Sequence, residues 1–288
     1  MESKLKNKNI LIIGLGLIGG TYAKILTDSG LNVEAIDINK DSIDFAIQNK
    51  YIKNGYTDVK EEYFQDKDLI IFCLYPKVFL EWIKKYKSFI KKGTLVTDVT
   101  GIKSIIVNDI QKELEGIAEF VPSHPMAGTE RSGVQNVNTK VFQNANFIII
   151  KTYKNTDENI AKIHDLANTL GFSRITILDP IKHDEMIAYL SQLTHVIAVS
   201  LMTGIYDDGL AYYTGDSFRD LTRIARINEN MWSELFLLNK DALLMQMNRF
   251  EIEFNKMKEY LIKEDRDKIK EMMIESTKRR ELFDKKNI

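Results

Sequence analysis

Two segments of the chain contain residues whose types and spacing suit chemistry. The first, Gly14-Leu15-Gly16-Leu17-Ile18-Gly19, has the G-x-G-x-x-G spacing of a dinucleotide-binding turn. The second, residues 123–130, reads Ser-His-Pro-Met-Ala-Gly-Thr-Glu and contains His124. An imidazole titrates near neutrality and can take a proton from a hydroxyl group as hydride leaves the same carbon. Together the two segments predict hydride transfer to a dinucleotide, assisted by a histidine. Considered alone, a histidine on a loop is more often structural.

The glycine turn has the context that a dinucleotide site needs. Gly14 allows the tight turn, Gly16 lets the backbone approach a pyrophosphate, and Gly19 lets the following helix pack closely. Leu17 and Ile18 lie at the amino end of that helix, where amide groups and the helix dipole hold phosphates. The alternative, that this glycine turn serves only the packing of the helix on the strand and binds no cofactor, is less well supported by this context.

Asp37 decides which dinucleotide is expected. It lies about 20 residues beyond the turn, at the end of the second strand, where a carboxylate can bind the ribose hydroxyls. A 2′-phosphate would meet its negative charge, no arginine follows at once, and Lys40 is the nearest cation. The sequence therefore favours NAD over NADP.

Strands and helices alternate over the first part of the chain, which predicts an α/β fold of the Rossmann type, a doubly wound parallel sheet. Apolar runs without alternation indicate strands covered on both faces. Strands are expected at 9–13, 32–36, 68–74, 94–98, 119–122, 146–151 and 175–178. Helices are expected at 19–29, 40–49, 78–90, 104–114 and 156–170. His124 is expected on a loop after the strand that ends near Pro122.

The pattern changes at Asp179-Pro180, where an aspartate-proline pair interrupts the last strand. Beyond it apolar residues recur only at helical spacing, so an all-helical domain over 180–288 is predicted to follow a dinucleotide-binding domain over 1–179. With 288 residues the chain exceeds the size at which one core stops growing. The last 25 or so residues are highly charged, and are typical of a solvated helix.

Composition excludes several classes of function. The net charge of −1 gives no field that would attract nucleic acid or an anionic membrane. No secretory signal is visible, and no apolar run approaches the ~20 residues that span a bilayer. The single cysteine, Cys73, can form neither an internal disulfide nor a cysteine cluster for metal, so no metal is expected. The cytoplasm is the expected location.

Five further motifs follow in order along the chain. They are Asp98-Val99-Thr100-Gly101-Ile102-Lys103, His183-Asp184, Ser191-Gln192-Leu193-Thr194-His195, 218–225 (Phe-Arg-Asp-Leu-Thr-Arg-Ile-Ala) and Met231-Trp232. With the glycine turn and the His124 segment, this ordered set resembles the prephenate/arogenate dehydrogenase family over nearly the whole chain.

The resemblance implies an oxidoreductase of L-tyrosine biosynthesis. Prephenate would be oxidatively decarboxylated to 4-hydroxyphenylpyruvate as NAD is reduced. His124 would bind the ring hydroxyl and assist its deprotonation, and Arg223 would bind the ring carboxylate through two parallel charge-assisted bonds. Further residues that match the substrate pocket or its closing loop are Ser191, His195, Arg219, Thr129 and Glu130. The family also implies a homodimer formed through the helical domain.

The chain departs from the family pattern at two places. Gly101 stands where many members carry a serine, and Thr100 is the candidate to supply the hydroxyl instead. The common histidine-leucine-proline-histidine run appears here as Gln192-Leu193-Thr194-His195, which keeps only the last histidine.

Three alternatives remain open at this stage. Arogenate dehydrogenase would use the same chemistry to form tyrosine directly. A β-hydroxyacid dehydrogenase usually needs a catalytic lysine on the helix where this chain has His195. A non-catalytic NAD-sensing module would not need a carboxylate-binding arginine such as Arg223.

Overall fold

The structure is a computed structural model that describes residues 5–128, 131–207 and 209–284. The chain divides into two compact units, one ending at Asn239 and the other beginning at Lys240. The first unit contains two sheets and ten helices in its described part, and the second contains two helices.

A six-stranded parallel sheet forms the centre of the first unit. Its strands are β1 (Asn9–Ile13), β2 (Asn32–Ile36), β3 (Asn54–Tyr56), β4 (Leu69–Phe72), β5 (Leu95–Asp98) and β6 (Glu119–Phe120), in the order β3-β2-β1-β4-β5-β6. The helices between them are α1 (Leu17–Asp28), α2 (Lys40–Gln48), α3 (Pro76–Tyr86) and α4 (Val107–Glu113). Successive side chains of β1 enter two different hydrophobic cores, one on each face of the sheet. The predicted doubly wound fold is confirmed.

A second sheet follows, and here the prediction for His124 is wrong. The sheet contains β7 (Ser123–Met126), β8 (Asn146–Ile150) and β9 (Arg174–Leu178), with α5 (Asp157–Thr169) between the last two strands. β7 pairs antiparallel to β8, and His124 lies opposite Ile148. His124 is therefore on a strand and not on a loop. Pro125 is tolerated because β7 is the edge strand of this sheet.

From Pro180 onward the described residues of the first unit form helices and connecting loops and contain no strand, as predicted. The helices are α6 (Pro180–Ile187), α7 (Leu193–Thr203), α8 (Leu210–Tyr213), α9 (Asp216–Thr222) and α10 (Glu229–Leu238). A π-helical turn, Ala188–Gln192, joins α6 to α7, and a 3₁₀ turn, Arg223–Ala225, precedes α10. Asp179 caps α6 through the amide of Lys182, and Pro180 occupies its first turn.

Among the described residues one continuous helical stretch, Pro180–Thr203, is long and apolar enough to cross a membrane by length and composition. The sequence predicts no such segment, because no run approaches the ~20 consecutive apolar residues that span a bilayer. Buried His183 and Asp184 lie near the start of the stretch and bond to the sheet-bearing part of the same unit. These polar contacts join the start of the stretch to the two sheets.

The second unit consists of α11 (Lys240–Ile262) and α12 (Arg266–Arg280). All but two of the residues of α11 and all of those of α12 are at least partly exposed. The charged helix predicted near the carboxyl end is α12.

Candidate active site

The glycine turn leaves room for an anion at the start of α1. Gly14 has a φ of +99°, and a Cβ atom there would lie 2.5 Å from the carbonyl oxygen of Cys73. A Cβ on Gly19 would lie 1.9 Å from the Gly14 carbonyl oxygen, so only glycine lets α1 begin so close to the turn. A Cβ on Gly16 would meet nothing within 4 Å. No described side chain caps α1, so the amide groups of Leu17, Ile18 and Gly19 suit a pyrophosphate.

Asp37 faces this turn from the end of β2. Its Oδ2 accepts a hydrogen bond from the Leu15 amide at 2.5 Å, and its Oδ1 accepts one from the Asn39 amide at 2.7 Å. A carboxylate has about four lone-pair positions, so both oxygens can still accept from ribose hydroxyls. Lys40 donates to Asp44 at 2.5 Å, so the nearest cation is already paired. This donor and acceptor set fits NAD.

His124 is the first member of a chain of hydrogen bonds that crosses three elements. Its Nδ1 lies 2.9 Å from Nε2 of His183 on α6. Nδ1 of His183 lies 2.7 Å from Oδ1 of Asp184. Asp184 in turn accepts from the amides of Lys103, at 2.9 Å, and Ser104, at 2.7 Å. The chain joins β7, α6 and the loop that follows β5.

Both imidazoles of this chain are neutral at pH 7. Burial lowers the pKa of His124 well below its usual range, and the neighbouring His183 and Lys103 lower it further. Burial also lowers the pKa of His183, against the opposing effect of its bond to Asp184. Burial acts to raise the pKa of Asp184, but the bonds from His183 and Ser104 outweigh it and leave that carboxyl ionised.

A buried ion pair fixes the loop between β5 and α4. Lys103 is completely buried, and its three ammonium hydrogens reach Asp98 at 2.6 Å, the Ser123 carbonyl at 2.7 Å and the Thr100 hydroxyl at 3.1 Å. Asp98 also accepts from the Ser123 amide at 3.1 Å. The loop is thus tied to β7 at the residue before His124.

Thr100 lies inside this network. Its hydroxyl donates to Asp98 and accepts from Lys103. The donor hydrogen and one of the two acceptor lone pairs are therefore used within a buried cluster, and the substrate contact of Thr100 stays a prediction. Gly101, by contrast, lies next to the Nε2 edge of His124, since a Cβ added there would be 3.8 Å from that atom.

Two of the predicted site residues, His124 and His195, lie next to helix α10. Leu235 lies 3.7 Å from the position of a Cβ on Gly101, close to His124. One turn earlier, Trp232 stacks on His195 with ring centroids 3.7 Å apart. Gln192 donates to the Leu235 carbonyl at 3.0 Å and holds α10 against the start of α7. His124 and His195 therefore flank the same helix.

The substitution of Gln192 for the usual histidine has a structural use. Gln192 is buried, and its Oε1 accepts from Asn239 at 2.8 Å. Asn239 also donates to the Asp184 carbonyl at 3.0 Å. Ser191 lies in the π-helical turn, and its carbonyl accepts from Nδ1 of His195 at 2.9 Å. Such turns interrupt helices most often at functional sites.

The two arginines lie on the exposed side of the helical segment. Arg219, on α9, donates to Asp216 at 2.6 Å and to the Thr214 carbonyl at 3.1 Å. Arg223 is exposed on the 3₁₀ turn, which packs against α7. Thr129 and Glu130, predicted to help close the site, lie outside the described residues. The sequence alone assigns no function to His183, Asp184, Lys103 or Leu235.

The motifs His183-Asp184 and Asp98–Lys103 were the available signals for His183, Asp184 and Lys103, and no motif pointed to Leu235.

The fold and the site together define a dinucleotide-dependent oxidoreductase. The parallel sheet places a glycine turn and a carboxylate for the cofactor. A neutral imidazole, whose Nε2 has no hydrogen-bond partner among the described residues, lies on the strand β7. In the described part of the chain this is the one place where a possible base, a helix of aromatic and apolar residues and the nucleotide fold meet.

Comparison with known proteins identifies the family. The family model for "Prephenate dehydrogenase, nucleotide-binding domain" matches residues 22–175, and that for "Prephenate dehydrogenase, dimerization domain" matches residues 179–275. The chain belongs to the prephenate dehydrogenase family, as its motifs predict. The predicted dinucleotide-binding fold is confirmed by the same match.

Three relatives show how far the similarity extends. The prephenate dehydrogenase of Lactococcus lactis is 29% identical over 96% of this chain and 78% of its own length. The cyclohexadienyl dehydrogenase of Zymomonas mobilis is 29% identical over 95% of both proteins. A crystal structure of Aquifex aeolicus prephenate dehydrogenase with hydroxyphenyl propionate and NAD+ is 28% identical, with a TM-score of 0.89 over 98% of this chain and 100% of that chain.

Proposed function

We propose that this chain oxidatively decarboxylates prephenate to 4-hydroxyphenylpyruvate with reduction of NAD, as a step of L-tyrosine biosynthesis. The observation that carries the proposal is a neutral His124, in a chain of this family, whose Nε2 has no hydrogen-bond partner in the described ranges of the structure. The cofactor is NAD, in agreement with the Asp37 carboxylate and with the NAD+ of the Aquifex aeolicus structure. The chemistry that NAD supplies when bound is acceptance of a hydride.

His124 is the catalytic residue of this proposal. As hydride leaves the hydroxyl-bearing ring carbon, the hydroxyl proton moves to Nε2 of His124 and a carbonyl oxygen begins to form. The opposite ring carbon loses its carboxylate as carbon dioxide, and the electron pair of that bond completes the aromatic ring while the carbonyl oxygen becomes a phenolate. The proton held on Nε2 of His124 then returns to this oxygen and gives the hydroxyl of 4-hydroxyphenylpyruvate. The lowered pKa of His124 keeps Nε2 unprotonated and ready to accept at neutral pH.

The remaining site residues act on binding. Arg223 offers a planar guanidinium to the ring carboxylate, which leaves during the reaction. Ser191 and His195 are proposed to line the substrate pocket beside Trp232. Arg219 is proposed to bind substrate on the family resemblance, once its ion pair with Asp216 opens. Thr129 and Glu130 are proposed for the closing loop on the family resemblance alone.

We also propose the domain boundary at Asp179-Pro180, with a helical domain that binds substrate and forms a homodimer. The two family models divide the chain at almost the same place, 175 against 179. The first compact unit extends to Asn239 because α6 and α10 contact the sheet-bearing part, α10 through the bond of Glu234 to the Lys77 amide. Exposed apolar side chains on the helix from Pro180 to Thr203 suit a second copy of the chain. The cytoplasm is the proposed location.

One assay tests the activity and its substrate. Purified protein is mixed with NAD and either prephenate or arogenate, and the absorbance of reduced nicotinamide is followed. Arogenate is included because it differs only in the side chain and a cyclohexadienyl dehydrogenase is among the relatives. Turnover with prephenate is expected. If only arogenate reacts, the protein carries out the same chemistry on arogenate and the proposed substrate is wrong.

The His124→Asn variant tests the residue. Its turnover should fall by roughly 10²–10⁴-fold with little change in the Michaelis constant, the usual effect of removing a general base. His164→Gln is the matched control, since His164 is exposed on α5 and bonds only to Asn168 among the contacts described. Wild-type turnover in His124→Asn would remove His124 from the mechanism.

A further inference from the structure

The hydrogen bonds behind His124 have a defined direction. The Asp184 carboxylate can only accept, and it already accepts from the amides of Lys103 and Ser104. Its third bond, to Nδ1 of His183, therefore uses a proton that His183 carries on Nδ1. A neutral His183 then has a lone pair on Nε2, which must accept the proton on Nδ1 of His124. The lone pair of His124 is left on Nε2, the edge beside Gly101.

We propose that His183 and Asp184 form a proton relay behind His124, which fixes Nε2 of His124 as the base and receives the positive charge formed there. The inference rests on the proposed role of His124. His183 and Asp184 are positioning residues in this scheme, because neither contacts the substrate.

The proton transfers balance. The substrate hydroxyl gives its proton to Nε2 of His124, and the proton on Nδ1 of His124 moves to Nε2 of His183. His124 is then neutral again with its proton on Nε2, and His183 is an imidazolium bonded to the Asp184 carboxylate. After decarboxylation the two protons return in the opposite direction, and Nε2 of His124 gives its proton back to the phenolate oxygen, which forms the hydroxyl of 4-hydroxyphenylpyruvate and restores the starting state.

The charges around the two rings favour this displacement of the positive charge. His124 faces the Lys103 ammonium and His183, both of which disfavour an imidazolium at that position. His183 also feels Lys103, but it contacts the Asp184 carboxylate directly and has Asp98 nearby. A proton that arrives on His124 is therefore more stable when its charge lies on His183.

The protonation pattern can be read by NMR without any turnover. The chain has four histidines, so ¹⁵N-histidine spectra contain four rings, which the variants His164→Gln, His195→Gln and His183→Gln assign. The relay requires the proton on Nδ1 in both His124 and His183 at pH 7.5. A His124 ring with its proton on Nε2 in the wild-type protein would overturn the proposal.

Kinetics test the transfer itself. In His183→Gln the amide oxygen can still accept from His124 but cannot take up a proton, so kcat should fall by roughly 10–10³-fold with a Michaelis constant within about threefold. In Asp184→Asn, loss of the negative charge should move the acid limb of the kcat/KM profile to lower pH. A residue with only a structural role would not move that limb.

The outcomes separate the relay from the proposed function. If His124→Asn loses turnover while His183→Gln keeps the wild-type kcat and pH profile, the relay is refuted. His124 remains the general base in that case. Near-normal turnover in His124→Asn would refute the base and the relay together. Asp184 also accepts from the amides of residues 103 and 104, so Asp184→Asn can fail to fold. In that case the kinetics of His183→Gln and the NMR spectra test the relay.

Discussion

A Cβ atom added to Gly101 would lie 3.8 Å from Nε2 of His124, at ordinary van der Waals distance. The other neighbours of that position, the methyl groups of Leu235, are 3.7 Å away. Gly101 does not have a left-handed backbone, so a side chain brings neither strain nor a clash. Many members of the family carry a serine here, and the loop of this chain keeps the space for one.

Gly101→Ser should therefore place a hydroxyl beside the reacting edge of His124. An additional hydrogen bond to the substrate contributes about 0.5–1.5 kcal/mol, so the Michaelis constant for prephenate should fall by about 2–10-fold. Gly101→Ala adds the Cβ without the hydroxyl, and its Michaelis constant should match that of the wild type. Steady-state kinetics of the three proteins check this. Equal effects of serine and alanine would show that the hydroxyl makes no contact.

Local patterns predicted much of the fold. β1 and β2 are bounded as expected, because short runs of Ile, Val and Leu next to glycine or asparagine have few alternatives to a buried strand. Helix α1 begins at Leu17, two residues before the predicted start at 19, since the glycine turn itself supplies the cap. The position of Asp37 beside the turn followed from the same motif.

Contacts between residues far apart in the chain could not be predicted from the sequence. Pro125 and Gly128 suggest a loop, and only pairing with β8 reveals that His124 is on a strand. The bond between His124 and His183 joins residues 59 positions apart, and His183 on its own suggests a capping residue. Gln192 appeared to be a lost histidine, yet its amide joins α10 to α7, which no periodicity encodes. The bonds of the Thr100 hydroxyl to Asp98 and Lys103 were invisible in the sequence for the same reason.

Asp37 has two functions that substitution should separate. Asp37→Ser removes the charge that repels a 2′-phosphate, so the preference for NAD over NADP should fall at least about tenfold, or about 1.4 kcal/mol. The serine also loses the bonds to the Leu15 and Asn39 amides, so the Michaelis constant for NAD should rise as the turn loosens. Both constants are measured with saturating prephenate.

Asp28→Ser provides the matched control for cofactor choice. Asp28 is an exposed carboxylate at the far end of α1, paired with Lys24, so cofactor preference should stay at the wild-type value. An unchanged preference in Asp37→Ser itself would mean that the ribose lies elsewhere.

Arg223 should affect substrate affinity more than turnover. Charge-assisted hydrogen bonds contribute about 1.5–3 kcal/mol, so Arg223→Ala should raise the Michaelis constant for prephenate by about 10–150-fold. Arg223→Lys keeps the charge but loses the fork of parallel donors, and should give an intermediate constant. The comparison uses initial rates at saturating NAD.

Arg226→Ala is the control for Arg223, because Arg226 is an exposed arginine only three residues further on. Its Michaelis constant for prephenate should equal that of the wild type. If Arg223→Ala and Arg226→Ala behave alike, the carboxylate is bound by another group.

The buried, neutral imidazoles make stability depend on pH in a definite direction. Burial holds the pKa of His124 and of His183 below the usual value near 6.5, whereas both rings titrate normally in the unfolded chain. Below pH 6.5 the unfolded chain therefore binds protons that the folded protein does not, and the free energy of unfolding falls with falling pH. The loss continues until the lowered folded-state pKa values are reached. The Asp184 carboxyl does not contribute in this window, because it titrates below its usual value of 3.8.

Urea unfolding between pH 7.5 and 5.5, at one fixed protein concentration, measures this dependence. The free energy of unfolding of the wild type should change little between pH 7.5 and 6.5 and should fall increasingly steeply below pH 6.5. His124→Gln removes one of the two groups, so its slope against pH should be shallower. His164→Gln removes an exposed histidine and should keep the wild-type slope. A wild-type protein that gains stability on acidification, or a His124→Gln slope equal to that of the wild type, would contradict the view that His124 is held neutral by its buried surroundings.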